Sequence, residues 1–409
     1  MERAGRGTTA AIIAAALGYF VDVYDLWLFS VLRVASLAGL GFTDPAQVKH
    51  LGEVLLNWQM GGFILGALFF GTLSDKKGRL TVLFGSILVY SAANLANGFV
   101  TSIPAYAACR FFAGVGLAGE LGAGIALVSE LVGKNHRGWA TTLVATTGVA
   151  GSVAAAEFAV LLPWRTSYIV GGVMGLALLV LRLRVFESGM FERIREDESV
   201  RRGDFLGLLK TRERVGRYLA TILAGGPVWL FAGLFMTFSP ELQAGLGITD
   251  PLPAPKVIMV SAIGLVVGDV LFGALSQIWK SRRRSLFAAL TLMSACMAAI
   301  FLVARTSEMF YWLMFVAGAG AGYWAVFVTT AGETFGTNLR GTVAITAPCF
   351  VRGLVIPMTL LRTAAAAPLG FVGATVAVSV LVVGLALWSV WRLPETYGKD
   401  LDYVEPSIA

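Results

Sequence analysis

Apolar stretches of about 20 residues, the length that an α-helix needs to cross the hydrocarbon core of a bilayer, recur along the whole chain. They dominate a composition that is 57% hydrophobic and only 14% charged, whereas a soluble domain carries about 25% charged residues. We therefore predict an all-α membrane protein with twelve transmembrane helices, at about 8–33, 52–73, 80–100, 104–130, 139–161, 165–182, 216–240, 256–279, 285–304, 309–332, 342–362 and 371–391.

The distribution of charge fixes the expected orientation. The net charge is +7, and most Lys and Arg fall on the side of the membrane that both termini share, which is the pattern of cytoplasmic segments. We expect an integral protein of the inner (plasma) membrane with both termini cytoplasmic, whose basic excess meets lipid and not nucleic acid. The three cysteines lie inside predicted spans and the two histidines are isolated, so we predict no metal site. No phosphate-binding loop or catalytic motif is present, so we expect no cofactor and no enzyme.

The chain is divided by its one long polar segment. Residues 183–215 are too charged to cross a membrane and predict a cytoplasmic linker between six-span halves at 1–182 and 216–409. The halves also repeat in sequence, because 130–138 and 333–341 share five identities at an offset of 203, and 66–79 faces 268–284 at nearly the same offset. Duplicated halves of six spans are typical of secondary transporters.

Three signatures resemble the major facilitator superfamily along nearly the whole chain. Residues 71–79 (GTLSDKKGR) resemble its loop 2–3 signature, 110–116 (RFFAGVG) its span 4 arginine motif, and 392–398 (RLPETYG) its post-span-12 motif. The resemblance implies two pseudo-symmetric six-helix bundles that rock to alternate access.

Within that superfamily the chain is most similar to the metabolite:proton symporters. Gly18, Asp22 and Asp25 match the span 1 pattern of that group, with Asp at a position where Glu is commoner. Gly119-Glu120 resembles its span 4 Gly-Gly-Glu, and 186–191 (FESGMF) resembles its linker motif, with Gly in place of Pro.

The two aspartates of the first span share one helix face, because they are three residues apart. Two close carboxylates in a poorly solvated site resist double ionisation, so one of them can carry the coupling proton. The alternative is that one aspartate pairs permanently with Arg110, which lies at a similar depth. We interpret Glu120 as either a second protonation site or part of an inner gate.

Two arginines inside predicted spans are candidate anion ligands, since a charge in mid-membrane costs about 3 kcal/mol and needs a purpose. Arg110 stays charged at any physiological pH and serves either coupling and substrate binding or a fixed salt bridge. Arg352 lies near the middle of span 11, where a carboxylate substrate would accept a bidentate contact. The alternative is a fixed pair with Asp269 in span 8.

Other polar and aromatic residues complete the expected site. Four aromatic residues are candidate cavity walls: Tyr24, Trp58, Trp229 and Tyr323. The resemblance implies a charge network at cytoplasmic helix ends that acts as a gate, or else sets topology and caps helices, with Asp269 as a further structural residue: Asp75, Arg79, Glu130, Arg137, Glu333 and Arg340.

Together these features predict a secondary transporter, a monomer, that imports a small organic anion, a mono- or dicarboxylate, by proton symport. A zwitterion such as betaine or proline, proton-coupled efflux, and a membrane sensor without transport are the alternatives. Span 7 lacks the paired glutamines that sugar porters usually have, and span 5 lacks the Gly-Pro motif of drug antiporters, so sugar uptake and drug efflux are disfavoured.

Overall fold

The computed structural model describes residues 2–77, 79–120, 137–187, 205–399 and 405. The chain divides into two compact units, Met1–Gly203 and Asp204–Ala409. The secondary structure of the described residues is helical, with no strand among them. The predicted all-α architecture agrees with this.

The first unit contains six helices in its described residues. They are α1 (Glu2–Gly39), α2 (Pro45–Lys77), α3 (Arg79–Asn97), α4 (Ile103–Glu120), α5 (Arg137–Leu161) and α6 (Trp164–Glu187). Helix α2 packs on α4, α3 packs on α4 and α6, and α1 packs on α5 and α6. This packing places α1, α3, α4 and α6 around a common interior.

The second unit contains more helices, because several of its spans are interrupted. They are α7 (Phe205–Leu209), α8 (Arg212–Leu230), a π-helical segment (Phe231–Met236), α9 (Ser239–Leu246), α10 (Ala254–Ile278), α11 (Arg282–Val303), α12 (Ser307–Ala321), α13 (Trp324–Glu333), α14 (Thr337–Gly353) and α15 (Val355–Arg392). Helix α15 contains a break at Gly370, whose φ of 67° lies in the left-handed region.

Apolar helices of membrane-spanning length occur in both units. Among the described residues, seven helical segments are long and apolar enough to cross a bilayer: Pro45–Gly71, Trp164–Leu183, Arg212–Met236, Ala254–Ile278, Arg282–Val303, Ser307–Glu333 and Thr342–Arg392. The last of these covers two predicted spans, and the end of the fourth predicted span lies outside the described residues.

Glycines allow the closest helix contacts in both units. A Cβ on Gly62 of α2 would overlap the Phe111 carbonyl of α4. A Cβ on Gly264 of α10 would likewise overlap the Phe315 carbonyl of α12. Small residues let helix backbones approach in a membrane, where packing takes the place of the hydrophobic effect. The same device at matching places in α2–α4 and α10–α12 agrees with the duplication seen in the sequence.

Three interruptions in the second unit were not predicted. Pro227 lies inside α8 and is followed by the π-helical segment, as expected where proline removes a helix hydrogen bond. The predicted single span at 309–332 is two helices, since α12 ends before Gly322 and α13 begins after Tyr323. The predicted span at 342–362 is divided at Leu354, between α14 and α15.

The helices also extend into the segment that the sequence assigned to a linker. Helix α6 continues to Glu187, beyond the predicted end of span 6 at 182, and α8 already begins at Arg212. Residues 188–204 lie outside the described residues. The polar linker at 183–215 therefore stays a prediction, with helix at both of its ends.

A residue of the C-terminal tail is bound to the second unit. Glu405 is buried and accepts hydrogen bonds from Arg217 Nη2 at 3.1 Å and Arg214 Nε at 3.3 Å. Burial opposes ionisation of Glu405, but the hydrogen bond and charge of Arg217, with Arg214, outweigh burial and hold the pKa of Glu405 below its ordinary value. The ion pair therefore stabilises the folded protein at neutral pH.

Glu405→Gln is expected to lower the free energy of unfolding by about 2 kcal/mol at pH 7, the size of a hydrogen bond to a charged group. Because the pKa of Glu405 is lower in the folded state, this contribution is present above about pH 4.3, the unfolded value, and is lost as pH falls through the folded value. Thermal unfolding of wild type and variant in detergent should thus show a gap that closes on acidification.

Glu213→Gln is the matched control, because Glu213 also contacts Arg217 but its side chain is 82% exposed. An exposed ion pair contributes about 0–1 kcal/mol. This variant should therefore unfold at nearly the same temperature as wild type, at neutral and at acid pH. A gap for Glu405→Gln that stays constant down to pH 3 would refute the assigned role of its carboxylate.

Candidate functional site

The first predicted proton carrier lies in the interior of the first unit. Asp25 of α1 is only 1% exposed, and both of its carboxylate oxygens lack a hydrogen-bond partner among the described residues. Arg110 of α4 lies within electrostatic range of this carboxylate, and Asn94 of α3 is close to it as well. Arg110 donates from Nη2 to Asn94 Oδ1 at 2.7 Å, and its guanidinium stacks over Tyr168 at 4.6 Å from the ring centroid.

The second predicted carrier has different neighbours. Asp22 lies one turn earlier on α1 and interacts electrostatically with Glu120 of α4 and with Arg182 of α6. Glu120 is buried, forms a salt bridge with Arg182 Nη1 and accepts a hydrogen bond from Ser86 Oγ at 3.2 Å. The structure thus brings Glu120 to Asp22, and Arg110 to Asp25.

These five residues form what we call the buried charge cluster: Asp22, Asp25, Arg110, Glu120 and Arg182. It contains three carboxylates and two guanidinium groups contributed by α1, α4 and α6. With every group ionised the cluster has one negative charge in surplus. Binding of one proton would neutralise it.

The sequence did not single out Arg182. It stands at the end of the predicted sixth span, in Leu181-Arg182-Leu183-Arg184, next to the predicted polar linker. Helix α6 instead continues for five residues beyond it and keeps it buried.

Arg352 lies at the most irregular part of the second unit. It is buried near the end of α14, and its guanidinium carbon lies 5.0 Å from the ring centroid of Trp229 and 5.8 Å from that of Trp324. Trp229 precedes the π-helical segment and Trp324 is the first residue of α13. Three helix interruptions therefore meet at one buried cation with aromatic faces around it.

Asp269, the alternative partner of Arg352, has a different contact. Its Oδ1 accepts a hydrogen bond from the backbone N–H of Ala325 at 3.1 Å, at the start of α13. A carboxylate at this place satisfies a free N–H of the first helical turn and suits the helix dipole. Asp269 therefore holds the helix that presents Trp324, while Arg352 lies against the indoles.

The remaining predicted wall residues are distributed differently. The Tyr24 hydroxyl donates to the Ser167 carbonyl and the Tyr323 hydroxyl to the Ala224 carbonyl, each at 2.9 Å, and both side chains are fully buried. The structure places these two tyrosines in helix packing. Trp58 is instead 51% exposed, beside Phe111.

The two members of the predicted gate network whose side chains are described make polar contacts within the second unit. Glu333 forms a two-point contact with Arg282, at 3.1 and 3.3 Å, and accepts a hydrogen bond from Thr396 Oγ1 at 2.7 Å. Arg340 donates from Nε to the Gly332 carbonyl at 3.1 Å. Glu130 and the side chains of three others lie outside the described residues: Asp75, Arg79 and Arg137.

The Pro-Glu-Thr motif at 394–396 contacts the start of α11 and the end of α13. Glu395 accepts hydrogen bonds from the backbone N–H groups of Arg282 and Arg283, and from the Ser281 hydroxyl. Although burial opposes its ionisation, these bonds hold the pKa of Glu395 below its ordinary value. The Pro-Glu-Thr motif therefore caps α11 through its glutamate and binds Glu333 through its threonine.

Comparison with known proteins identifies several transporters. The chain is 27% identical over 274 residues to the sialic acid transporter NanX of Escherichia coli K12, with 64% of each chain covered. It is 30% identical over 253 residues to the 3-(3-hydroxy-phenyl)propionate transporter of the same strain, covering 58% of this chain and 60% of that one. It is 29% identical over 202 residues to the gentisate transporter of Corynebacterium glutamicum, covering 47% and 44%.

The matched stretches thus span less than two thirds of the length of each of these relatives. These relatives are named as transporters, and the apolar helices of this chain indicate an integral membrane protein. Residues 15–356 match the family model of the Major Facilitator Superfamily, which confirms the predicted resemblance and fold. The chain belongs to the Major Facilitator Superfamily.

Proposed function

We propose that this protein is a proton symporter that imports a small organic anion, a mono- or dicarboxylate, across the inner (plasma) membrane, with both termini cytoplasmic. The proposal assigns the anion to the second unit and the coupling proton to the first. It requires that anion binding and protonation each favour particular conformational states of the protein, because a ligand shifts an equilibrium only through differential affinity.

The observation that supports an anionic substrate best is the environment of Arg352. A buried guanidinium lies close to the indoles of Trp229 and Trp324, near the end of α8, the start of α13 and the end of α14. Discontinuous helices typically frame the substrate sites of secondary transporters. A guanidinium fork is matched to a carboxylate, and indole faces suit the apolar part of an organic acid.

The names of the relatives support the same substrate class. Sialic acid, 3-(3-hydroxy-phenyl)propionate and gentisate are all acids. The chemistry that they share is a carboxylate, which is the group that Arg352 would bind.

The buried charge cluster supports proton coupling. Three carboxylates and two guanidinium groups leave one surplus negative charge inside the first unit, and a buried unpaired charge is costly. A proton that binds from one side of the membrane and leaves to the other would remove and restore this charge in each cycle. Asp22, Asp25 and Glu120 are the groups that we assign to this role.

Uptake by purified protein in liposomes tests the proposal. Radiolabelled gentisate, 3-(3-hydroxyphenyl)propionate, sialic acid, succinate, proline, betaine and glucose are offered outside at acid pH, with an alkaline lumen. At least one acid should accumulate above protein-free liposomes, and a protonophore should abolish the accumulation. Accumulation of betaine or proline alone would reassign the substrate to a zwitterion, and no accumulation of any compound would contradict import.

A further inference from the structure

The position of Arg182 gives the buried charge cluster a feature beyond a pair of proton-binding aspartates. Its guanidinium forms a salt bridge with Glu120 through Nη1. It also lies directly against α1, because a Cβ on Gly18 would overlap its Nη2 atom. Glycine at 18 is therefore what allows Arg182 to reach across from α6 to α1.

Gly18 and Asp22 stand one turn apart on the same face of α1, so the guanidinium that rests on Gly18 lies next to Asp22. The Asp22 carboxylate is within electrostatic range of both Arg182 and Glu120, and its Oδ1 has no hydrogen-bond partner among the described residues. One cation thus faces two carboxylates, from α1 and from α4.

The other groups around Asp22 and Glu120 add no second cation beside these two carboxylates. Arg110 of α4 is associated with Asp25 and bonds Asn94. Tyr90 of α3 adds a phenol close to Asp22. Besides Arg182, the charged and titratable groups that interact with Asp22 are thus Glu120, Asp25 and Tyr90.

We infer that Arg182 is a shared counter-ion of Asp22 and Glu120, so that the charge on Glu120 decides whether Asp22 needs the coupling proton. With the proton on Asp22, Arg182 has only the charge of Glu120 to neutralise, and it forms its salt bridge with Glu120 in the structure. When the proton leaves to water, Arg182 faces two carboxylates and one charge is left in surplus. Arg182 is a positioning residue in this scheme, and the inference rests on the proposed function for its role in transport.

A charge cycle separates this role from that of a structural salt bridge. In Glu120→Gln, Arg182 is left to neutralise Asp22 and Arg110 to neutralise Asp25, so no proton is needed. In the double variant Glu120→Gln with Arg182→Gln, two aspartates again face one guanidinium and the need for a proton returns. An isolated Glu120–Arg182 bridge would instead leave proton binding unchanged in the single variant.

The readout is infrared absorbance of protonated carboxyl groups, measured on the full-length protein in liposomes without substrate while the pH is raised. Wild type and the double variant should each lose a buried carboxyl band, and Glu120→Gln should lack that band. Gradient-driven uptake of gentisate, or of whichever panel acid wild type accumulates, should be lost in Glu120→Gln and recover in the double variant.

A band in Glu120→Gln equal to that of wild type would overturn the shared counter-ion, as would a double variant that folds, by gel filtration, but lacks the band. Arg182→Lys changes the side chain but keeps its positive charge, so this variant should keep the band. Loss of the band in Arg182→Lys would indicate misfolding and not the loss of the charge. The absence of any uptake by wild type would instead contradict the proposed function, while the infrared result still decides the role of Arg182.

Discussion

Arg352→Gln is expected to raise the concentration of organic acid needed for half-maximal uptake by about 100-fold or more, the effect of removing one member of a buried charge pair. The glutamine keeps polar atoms near Trp229 and Trp324 but has no positive charge for a carboxylate. The half-saturating concentration of Arg352→Lys should lie between those of wild type and Arg352→Gln, because a lysine keeps the charge but cannot form the two-point contact. Uptake at graded acid concentrations in proteoliposomes measures the change.

Arg362→Gln provides the matched control. Arg362 is also buried in the second unit and lies between two aromatic rings, 4.5 Å from the Phe238 centroid and 4.8 Å from that of Phe371. Its loss should lower thermal stability without the same change in half-saturation. Equal losses of apparent affinity in Arg352→Gln and Arg362→Gln would mean that buried arginine matters only for packing, and Arg352 would no longer be the proposed anion ligand.

Asp25→Asn should abolish uptake driven by a proton gradient while leaving exchange of internal for external acid intact. The amide has the shape of a protonated carboxyl group, so the buried charge cluster becomes neutral without a proton and has nothing to release. Net accumulation should therefore fall to the level reached with a protonophore. Counterflow of labelled acid, which requires no net proton movement, should remain.

Glu157→Gln serves as the control for Asp25→Asn, since Glu157 is another acid in the same unit but is exposed on α5. It should keep both gradient-driven uptake and counterflow. Uphill accumulation by Asp25→Asn at the wild-type rate would exclude this carboxylate from the proton pathway.

Much of this site was predictable because a charge within an apolar run is conspicuous. Asp22, Asp25, Arg110 and Glu120 were each identified in that way, and all four lie in the same interior of the first unit. Their grouping was predicted only in part. The sequence analysis offered an aspartate beside Arg110, which is where Asp25 lies, but it did not bring Glu120 and Arg182 to Asp22.

The residues that were missed stood where the sequence pattern gave no contrast. Arg182 adjoins a polar segment, and only the continuation of α6 to Glu187 keeps it inside. The interruptions beside Tyr323 and Leu354 fall within stretches that are apolar enough for hydropathy to predict continuous spans, even with Arg352 in the second of them. At Gly322 the neighbouring helix lies very close, because a Cβ there would overlap the Leu265 carbonyl of α10.

The most direct test of the account is the lumenal pH of proteoliposomes that contain a pH-sensitive dye and start with equal pH on both sides. When the accepted organic acid is added outside, the lumen should acidify with wild-type protein and should stay unchanged with Asp25→Asn. Uptake of the acid by wild type without any acidification would contradict proton symport and leave the buried charge cluster without its proposed role.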